Sequence, residues 1–213
     1  MMASSVAGII LCGGSSRRMG RDKALLSIPG REPLTFIAYL TEVLTPFCSE
    51  VVLVTRDEDQ AVQYTKHLAV QKVNLVRIVN DKVPSAGPLM GLYSGLSTLQ
   101  VSHALVTAVD MPFVQKDMLA FLLSYPLDEA LLVPVVDGVP QVLLAIYPRT
   151  ILPMLAACLH DGRRDLRSLL EVVPVHYIAE TQLRNVDSQL RSFVNINTPD
   201  DLTILTLKDL TNT

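Results

Sequence analysis

The apolar runs of this chain do not alternate with polar residues. Val6–Leu11, Val51–Thr55, Val73–Val79 and Ala104–Val109 are nearly continuous stretches rich in Val, Ile and Leu. A strand with one wet face alternates. A strand that is apolar on both faces is buried on both, as in a parallel sheet covered by helices. Helical spacing of apolar residues marks Leu34–Phe47, Leu89–Leu99 and Asp117–Leu123. This order predicts a three-layer α/β fold with a mostly parallel central sheet and right-handed crossovers.

Beyond Tyr125 the rhythm changes. Leu131–Val136 and Gln141–Ile146 flank Asp137-Gly138-Val139-Pro140, a turn signal that predicts a small antiparallel excursion. Pro140 argues there for a loop wider than a two-residue hairpin. Helices are expected at Ile151–Leu159 and Leu166–Glu171, and a strand at Val173–Ile178. Val194–Ile196 is a short apolar segment before Thr198-Pro199-Asp200-Asp201. That tetrad starts a last helix, with Thr198 as N-cap, Pro199 at the first position and two Asp at the positive end. At 213 residues, without repeats or linkers, the chain is expected to form one domain over 1–213. Its 49% hydrophobic and 18% charged residues supply a core and exclude disorder.

A formal net charge of −3 argues against a long nucleic-acid partner, which would call for a basic excess. A small anion remains open, because a few local cations suffice for it. Cys12, Cys48 and Cys158 are odd in number, dispersed and free of a C-x-x-C pair. They read as reduced thiols of a cytoplasmic protein, not as a disulfide framework or zinc site. Val6–Cys12 lacks the preceding positive charge of a signal segment and reads as a buried strand. No run is long enough to span a membrane.

Directly after the first strand comes Gly13-Gly14-Ser15-Ser16, followed by Arg17, Arg18, Arg21 and Lys23. In an open parallel sheet, ligands bind beyond the carboxyl ends of the strands. Glycines there bring backbone N–H groups close to an anion, while Arg grips phosphate oxygens and Lys adds a point charge. The spacing fits neither the dinucleotide fingerprint nor the Walker loop, since Gly14 and Gly20 are wrongly placed and Arg21 follows Gly20. Asp110 closes the fourth strand at the same edge, where a hard oxygen suits Mg²⁺. Asp81 closes the third.

The segment from Leu11 to Lys23 resembles the L-x-G-G-x-S-x-R-M-G-x-D-K signature of the molybdenum cofactor guanylyltransferases, with Cys12 in place of the usual alanine. Asp81 with Gly87-Pro88-Leu89-Met90-Gly91 resembles that family's Asp and G-P-L-x-G segment. Val109-Asp110-Met111-Pro112-Phe113 resembles its C-D-x-P-[FY] motif, and Asn195-Ile196-Asn197-Thr198-Pro199-Asp200-Asp201-Leu202 its C-terminal motif. The resemblance covers nearly the whole chain. It implies a Rossmann-like nucleotidyltransferase fold and transfer of GMP from GTP to the terminal phosphate of Mo-molybdopterin, with release of pyrophosphate. It implies nucleotide contacts at Leu11, Cys12, Gly13, Gly14, Lys23, Thr55, Asp81, Gly87 and Asp110. Arg18, Lys23 and Asp110 would be catalytic, with Mg²⁺ on Asp110. Asn195, Asn197, Arg163 and Arg164 would face the acceptor. One departure is Thr55-Arg56, where the family usually has Asn-Arg; a hydroxyl lacks the amide's paired donor and acceptor, which bears on base preference. Gln141 follows Pro140 and matches the family poorly. His67, His103, His160 and His176 have no ligand or triad spacing and read as surface or satisfied core residues.

Two other readings stay open at this level. One is a relative with another base or acceptor, such as a molybdopterin cytidylyltransferase or a sugar-phosphate or isoprenoid-pathway enzyme. The other is a non-catalytic GTP-binding protein that delivers cofactor. Transient contacts with cofactor-maturation proteins or molybdoenzymes are implied by resemblance alone.

Overall fold

The computed structural model describes residues 6–13, 22–71, 73, 76–84, 86–198 and 201. Its eight-stranded sheet runs β3-β2-β1-β4-β7-β5-β6, with β8 alongside β5. The strands are β1 Val6–Leu11, β2 Val51–Thr55, β3 Val76–Asn80, β4 His103–Ala108, β5 Leu131–Val136, β6 Val139–Pro140, β7 Leu144–Pro148 and β8 Val175–Ile178. Strands β3, β2, β1 and β4 are mutually parallel, and Ile9 of β1 sits between Val52 and Val106. Strand β7 is antiparallel to β4 and β5, while β8 is parallel to β5. The antiparallel excursion is therefore inserted into the sheet and extends it beyond β4.

The continuous apolar runs are explained by two cores, one on each face. Ile10, Leu53 and Leu105 point into a core shared with α1 (Phe36–Leu44), α2 (Glu58–Val70) and α4 (Lys116–Leu123). Ile9, Val52 and Val106 point into the other, shared with α3 (Pro88–Ser97) and α5 (Leu152–His160). A short α6 spans Glu180–Leu183. The result is the three-layer α/β fold predicted from the runs.

Three local outcomes differ from expectation. Asp137 and Gly138 both take positive φ, 49° and 73°, and Val136 pairs with Val139. That is a tight two-residue turn, whose twist matches the flanking strands. Pro140 does not widen it, because β6 lies at the sheet edge, where a missing N–H is tolerated. Leu166–Glu171 is a 3-10 helix rather than an α-helix, capped by Asp165. Helix α2 was not expected at all. Its buried residues are Gln60, Ala61, Tyr64 and Leu68, so its inward stripe is too polar to show in an apolar pattern. Its start does carry a signal: the Asp57 carboxylate accepts from Gln60 N, and Glu58 and Asp59 fill the first turn.

Cys12, Cys48 and Cys158 are all free thiols. Among the described residues no helix is long and apolar enough to cross a membrane.

Candidate functional site

Because β1 to β4 are parallel, their carboxyl ends meet at one edge. Gly13 emerges there from β1, Arg56 from β2, Asp81 from β3 and Asp110 from β4. Gly14 and Arg18 lie outside the described residues.

Lys23 stands at the centre of this edge. Its Nζ donates to Asp110 Oδ2 at 3.2 Å and to Asn197 Oδ1 at 2.9 Å. Three segments distant in sequence thus converge on one ammonium. Asn197 is brought in by its neighbours: Ile196 N donates to Asp110 O at 2.8 Å. The Asp201 carboxylate accepts from both Asn197 N and Thr198 N at 2.8 Å, and Asp201 N donates back to Thr198 Oγ1 at 3.3 Å. Thr198 takes the N-cap place expected from the sequence, and Asp201 makes the cap reciprocal; Pro199 and Asp200 lie outside the described residues. Asn195 is exposed nearby.

Lys23 is itself held from behind. It opens a 3-10 turn, Lys23–Leu25, capped by Asp22, whose Oδ1 accepts from Ala24 N at 3.0 Å. Tyr64 Oη lies 2.9 Å from each Asp22 oxygen, and Gln60 Nε2 donates to Asp22 Oδ2 at 3.0 Å. Gln60 Oε1 also accepts from Arg56 N at 2.8 Å. Helix α2 thereby clamps the end of the anion loop and the exit of β2 together. Sequence reading missed Gln60 and Tyr64 as positioning residues, and with them the part played by Asp22, because it missed helix α2.

Asp81 occupies the other end of the edge. A Cβ on Gly13 would lie 3.2 Å from its Oδ2, and one on Gly91 would lie 3.5 Å from its Oδ1. The carboxyl is thus packed against bare backbone on both sides, where any side chain at either position would crowd it. Desolvation pushes its pKa up to about 6, with Ser94 pulling the other way. Among the described residues, Asp81 Oδ1 and Asp110 Oδ1 are the buried side-chain atoms with no hydrogen-bond partner. Buried polar groups are nearly always paired, so two orphans at one edge mark where ligands are expected.

Gly87 caps α3 at φ 93°, and a Cβ there would meet Arg164 O at 2.7 Å. Leu89 N donates to that same carbonyl at 3.0 Å, which seats Arg164 against the start of α3 with its side chain exposed. Its neighbour turns elsewhere: Arg163 Nη1 donates to Glu171 Oε2 at 2.8 Å and Ser168 O at 3.2 Å. Thr55 is likewise not presented to the cleft. It is wholly buried, and its hydroxyl donates to Asn80 Oδ1 at 2.7 Å, on the paired strand. Leu11 and Cys12 are buried, with their backbones tied to β4 and β2: Val109 N donates to Leu11 O, and Cys12 N donates to Val54 O. Burial, then the charges of Asp22 and Asp81, push the Cys12 thiol well up, so it carries no thiolate chemistry. Gln141 bonds its own turn at Val139 O. His103 is buried between Ser102 and Asp128, His176 bonds Asp128, His67 bonds Thr35, and His160 is exposed.

Comparisons with known proteins agree with the fold. Residues 8–183 match the MobA-like NTP transferase domain. A probable molybdenum cofactor guanylyltransferase of Methanothermobacter thermautotrophicus is 36% identical over 201 residues, covering 92% of this chain and 96% of the relative. One of Chloroflexus aggregans is 33% identical over 205 residues, covering 94% and 93%. Among solved structures, molybdopterin-guanine dinucleotide biosynthesis protein A from Archaeoglobus fulgidus superposes with a TM-score of 0.78 at 29% identity, covering 97% of this chain and all of that one. The chain belongs to the MobA-like NTP transferase family and is a nucleotidyltransferase, with nucleotides as substrates.

Proposed function

We propose that this enzyme transfers GMP from GTP to the terminal phosphate of Mo-molybdopterin, releasing pyrophosphate. The observation that carries the reading is the convergence of Lys23, Asp110 and Asn197 beside the glycine-flanked Asp81. The triphosphate lies in the loop from Gly13 to Lys23. An acceptor phosphate oxygen attacks the α-phosphorus as the bond to the bridging oxygen breaks, and pyrophosphate leaves with that electron pair. A phosphate is already largely ionised at neutral pH, so the nucleophile needs no strong base. Catalysis is then positioning and charge neutralisation. Lys23 meets the charge that builds on the leaving group. Asn197 fixes where its ammonium points.

Asp110 is the residue to hold Mg²⁺, because its Oδ1 is a hard, unpaired oxygen, and a bound ion would supply a Lewis acid for phosphate oxygens. The guanine assignment is supported by Asp81. Guanine presents two adjacent donors on its pairing edge, which a carboxylate accepts side by side; cytosine presents one donor beside an acceptor. This assignment does not depend on Thr55. On the acceptor side, the exposed Asn195 and Arg164 suit an anionic pterin, whereas Arg163 would first have to leave Glu171.

Pyrophosphate release measured with each of the four NTPs, with and without molybdopterin, tests the proposal. Release with GTP that needs molybdopterin is expected. Preference for CTP, or release with a sugar phosphate instead, would replace base or acceptor. GTP binding without turnover would make the protein a carrier.

A further inference from the structure

Asn197 points the Lys23 ammonium, yet it sits on a stretch without regular structure, 194–197. Something outside that stretch must hold it in place. Two bonds fasten the arriving segment to the exit of β4. Ile196 N donates to Asp110 O at 2.8 Å, and Gln115 N donates to Ser192 Oγ at 3.1 Å. The later residue of one stretch meets the earlier residue of the other, so the two run in opposite directions. Ile196 also packs with Ile28 and Phe36, which follow Lys23 in the chain, and Phe113 and Val194 close over them.

Ser192 is wholly buried. Its partner Gln115 stands at the N-cap of α4, where no side chain of the cap itself makes a capping bond. Backbone N–H groups at a helix start lack helical partners, so one duty of Ser192 is to satisfy such a group. Capping alone does not account for the turn that precedes it. The buried Asp187 carboxylate accepts from Arg191 N at 3.0 Å and from Ser192 N at 2.8 Å, one on each oxygen. Between them Leu190 takes φ 52° and ψ 34°, a left-handed conformation that branched side chains seldom adopt. Among the described residues the other non-glycine residue with positive φ is Asp137, in a hairpin turn that calls for it. Local strain persists only where its surroundings enforce it, and it gathers at working positions. Here a buried carboxylate enforces it, and the result is the direction of Ser192.

We propose that Ser192, aimed by Asp187, is a positioning residue of the transferase: it fastens its segment to Gln115 and so sets Asn197 against Lys23. The effect on turnover follows from the proposed role of Lys23 in transfer; the effect on Asn197 does not depend on it.

Ser192→Ala removes the accepting oxygen alone. Asp187→Asn keeps the size but sets an amide donor against a backbone N–H. In the full chain labelled with nitrogen-15, the side-chain amide resonance of Asn197 should move in both variants, in the direction seen for Lys23→Ala. Turnover at saturating GTP should fall roughly tenfold in Ser192→Ala, short of the loss of the charge itself. GTP affinity should stay within about twofold, since the contact acts in the transition state. Added to Asn197→Ala, Ser192→Ala should cost no further turnover, because both act through one contact. Tyr147→Phe is the control. It removes another buried hydroxyl, whose bond to Val142 O is 2.6 Å, and should leave the Asn197 amide and turnover unchanged.

An unmoved Asn197 amide in both folded variants overturns the proposal. So does a loss of turnover that adds in full to that of Asn197→Ala; Ser192 would then cap α4 and do nothing more. If the amide moves while Lys23→Ala keeps wild-type turnover, Ser192 still places Asn197, and the transfer role of Lys23 is what fails.

Discussion

The two ends of the same four parallel strands are built to different rules. At the amino end the described polar groups answer one another. Ser49 N and Oγ both donate to Val6 O, Arg77 donates twice to Glu50 Oε2, and Arg149 N donates to Ser102 O at 2.7 Å. His103 fills its ring contacts with Ser102 and Asp128. At the carboxyl end the chain leaves buried carboxylate oxygens open on Asp81 and Asp110, and faces one of them with bare glycine. An unpaired buried polar atom costs about 1–3 kcal/mol, and a charged one more. Among the described residues the fold carries that cost at the carboxyl end, which separates the part of the sheet that holds the structure from the part proposed to work on a ligand.

The hardest test of that division is Lys23→Ala. Removing one preorganised charge from a transition state costs on the order of a hundredfold in turnover. Steady-state pyrophosphate release should fall by that factor in protein that circular dichroism shows to be folded at the assay temperature. Near wild-type turnover would move the chemistry away from this edge.

A smaller effect with a sharper signature comes from Asp81. An unfolded aspartate gives up its proton near pH 3.9, whereas folded Asp81 keeps its proton up to about pH 6. Between those values the folded chain binds more protons, so this residue's contribution to stability declines as pH rises through the window. Binding of GTP should run the other way, strengthening as the carboxyl ionises through about pH 6. Asp81→Asn should therefore raise the melting temperature above pH 6, weaken GTP binding roughly tenfold and flatten both pH profiles. That factor is about 1.4 kcal/mol, the worth of one good hydrogen bond to a charged group. Parallel profiles in the variant and the wild type would remove Asp81 from the nucleotide site.

The contrast between the ends also marks what the sequence reveals. Strands β1, β2 and β4, buried on both faces, show themselves as unbroken apolar runs, and the ends of β1 and β4 point to Gly13 and Asp110; β3 is a half-buried edge strand that carries Arg77, and its Asp81 is marked by the family resemblance. Side-chain direction does not show in this way. Thr55 ends a strand at the working edge, yet register pairs it with Asn80, and its hydroxyl is used there. Arg163 and Arg164 are adjacent, and only the 3-10 turn that follows decides that Arg163 meets Glu171 while Arg164 stays by Gly87. Helix α2 stayed hidden for a related reason. The residues it turns inward are Gln60 and Tyr64, chosen for bonds to Asp22, so the polar work it does erased the apolar pattern that would have announced it.

The gentlest test lies at the opposite end. Arg77 and Glu50 form a two-bond ion pair at the amino edge, but their side chains are 40% and 32% exposed, so water screens much of it. Pairs of this kind contribute up to about 1 kcal/mol. Glu50→Gln should lower the melting temperature by no more than about 2–4 °C for a chain of this size. Turnover and GTP affinity at 25 °C should remain at wild-type values, because Glu50 and Arg77 lie at the opposite end of β2 and β3 from Lys23. If Glu50→Gln instead slows pyrophosphate release several-fold while the protein stays folded, strain at the amino end is reaching the carboxyl end through β2 and β3. The two ends would then be one device, and the orphaned oxygens of Asp81 and Asp110 would owe their placement to ion pairs at the far side of the sheet.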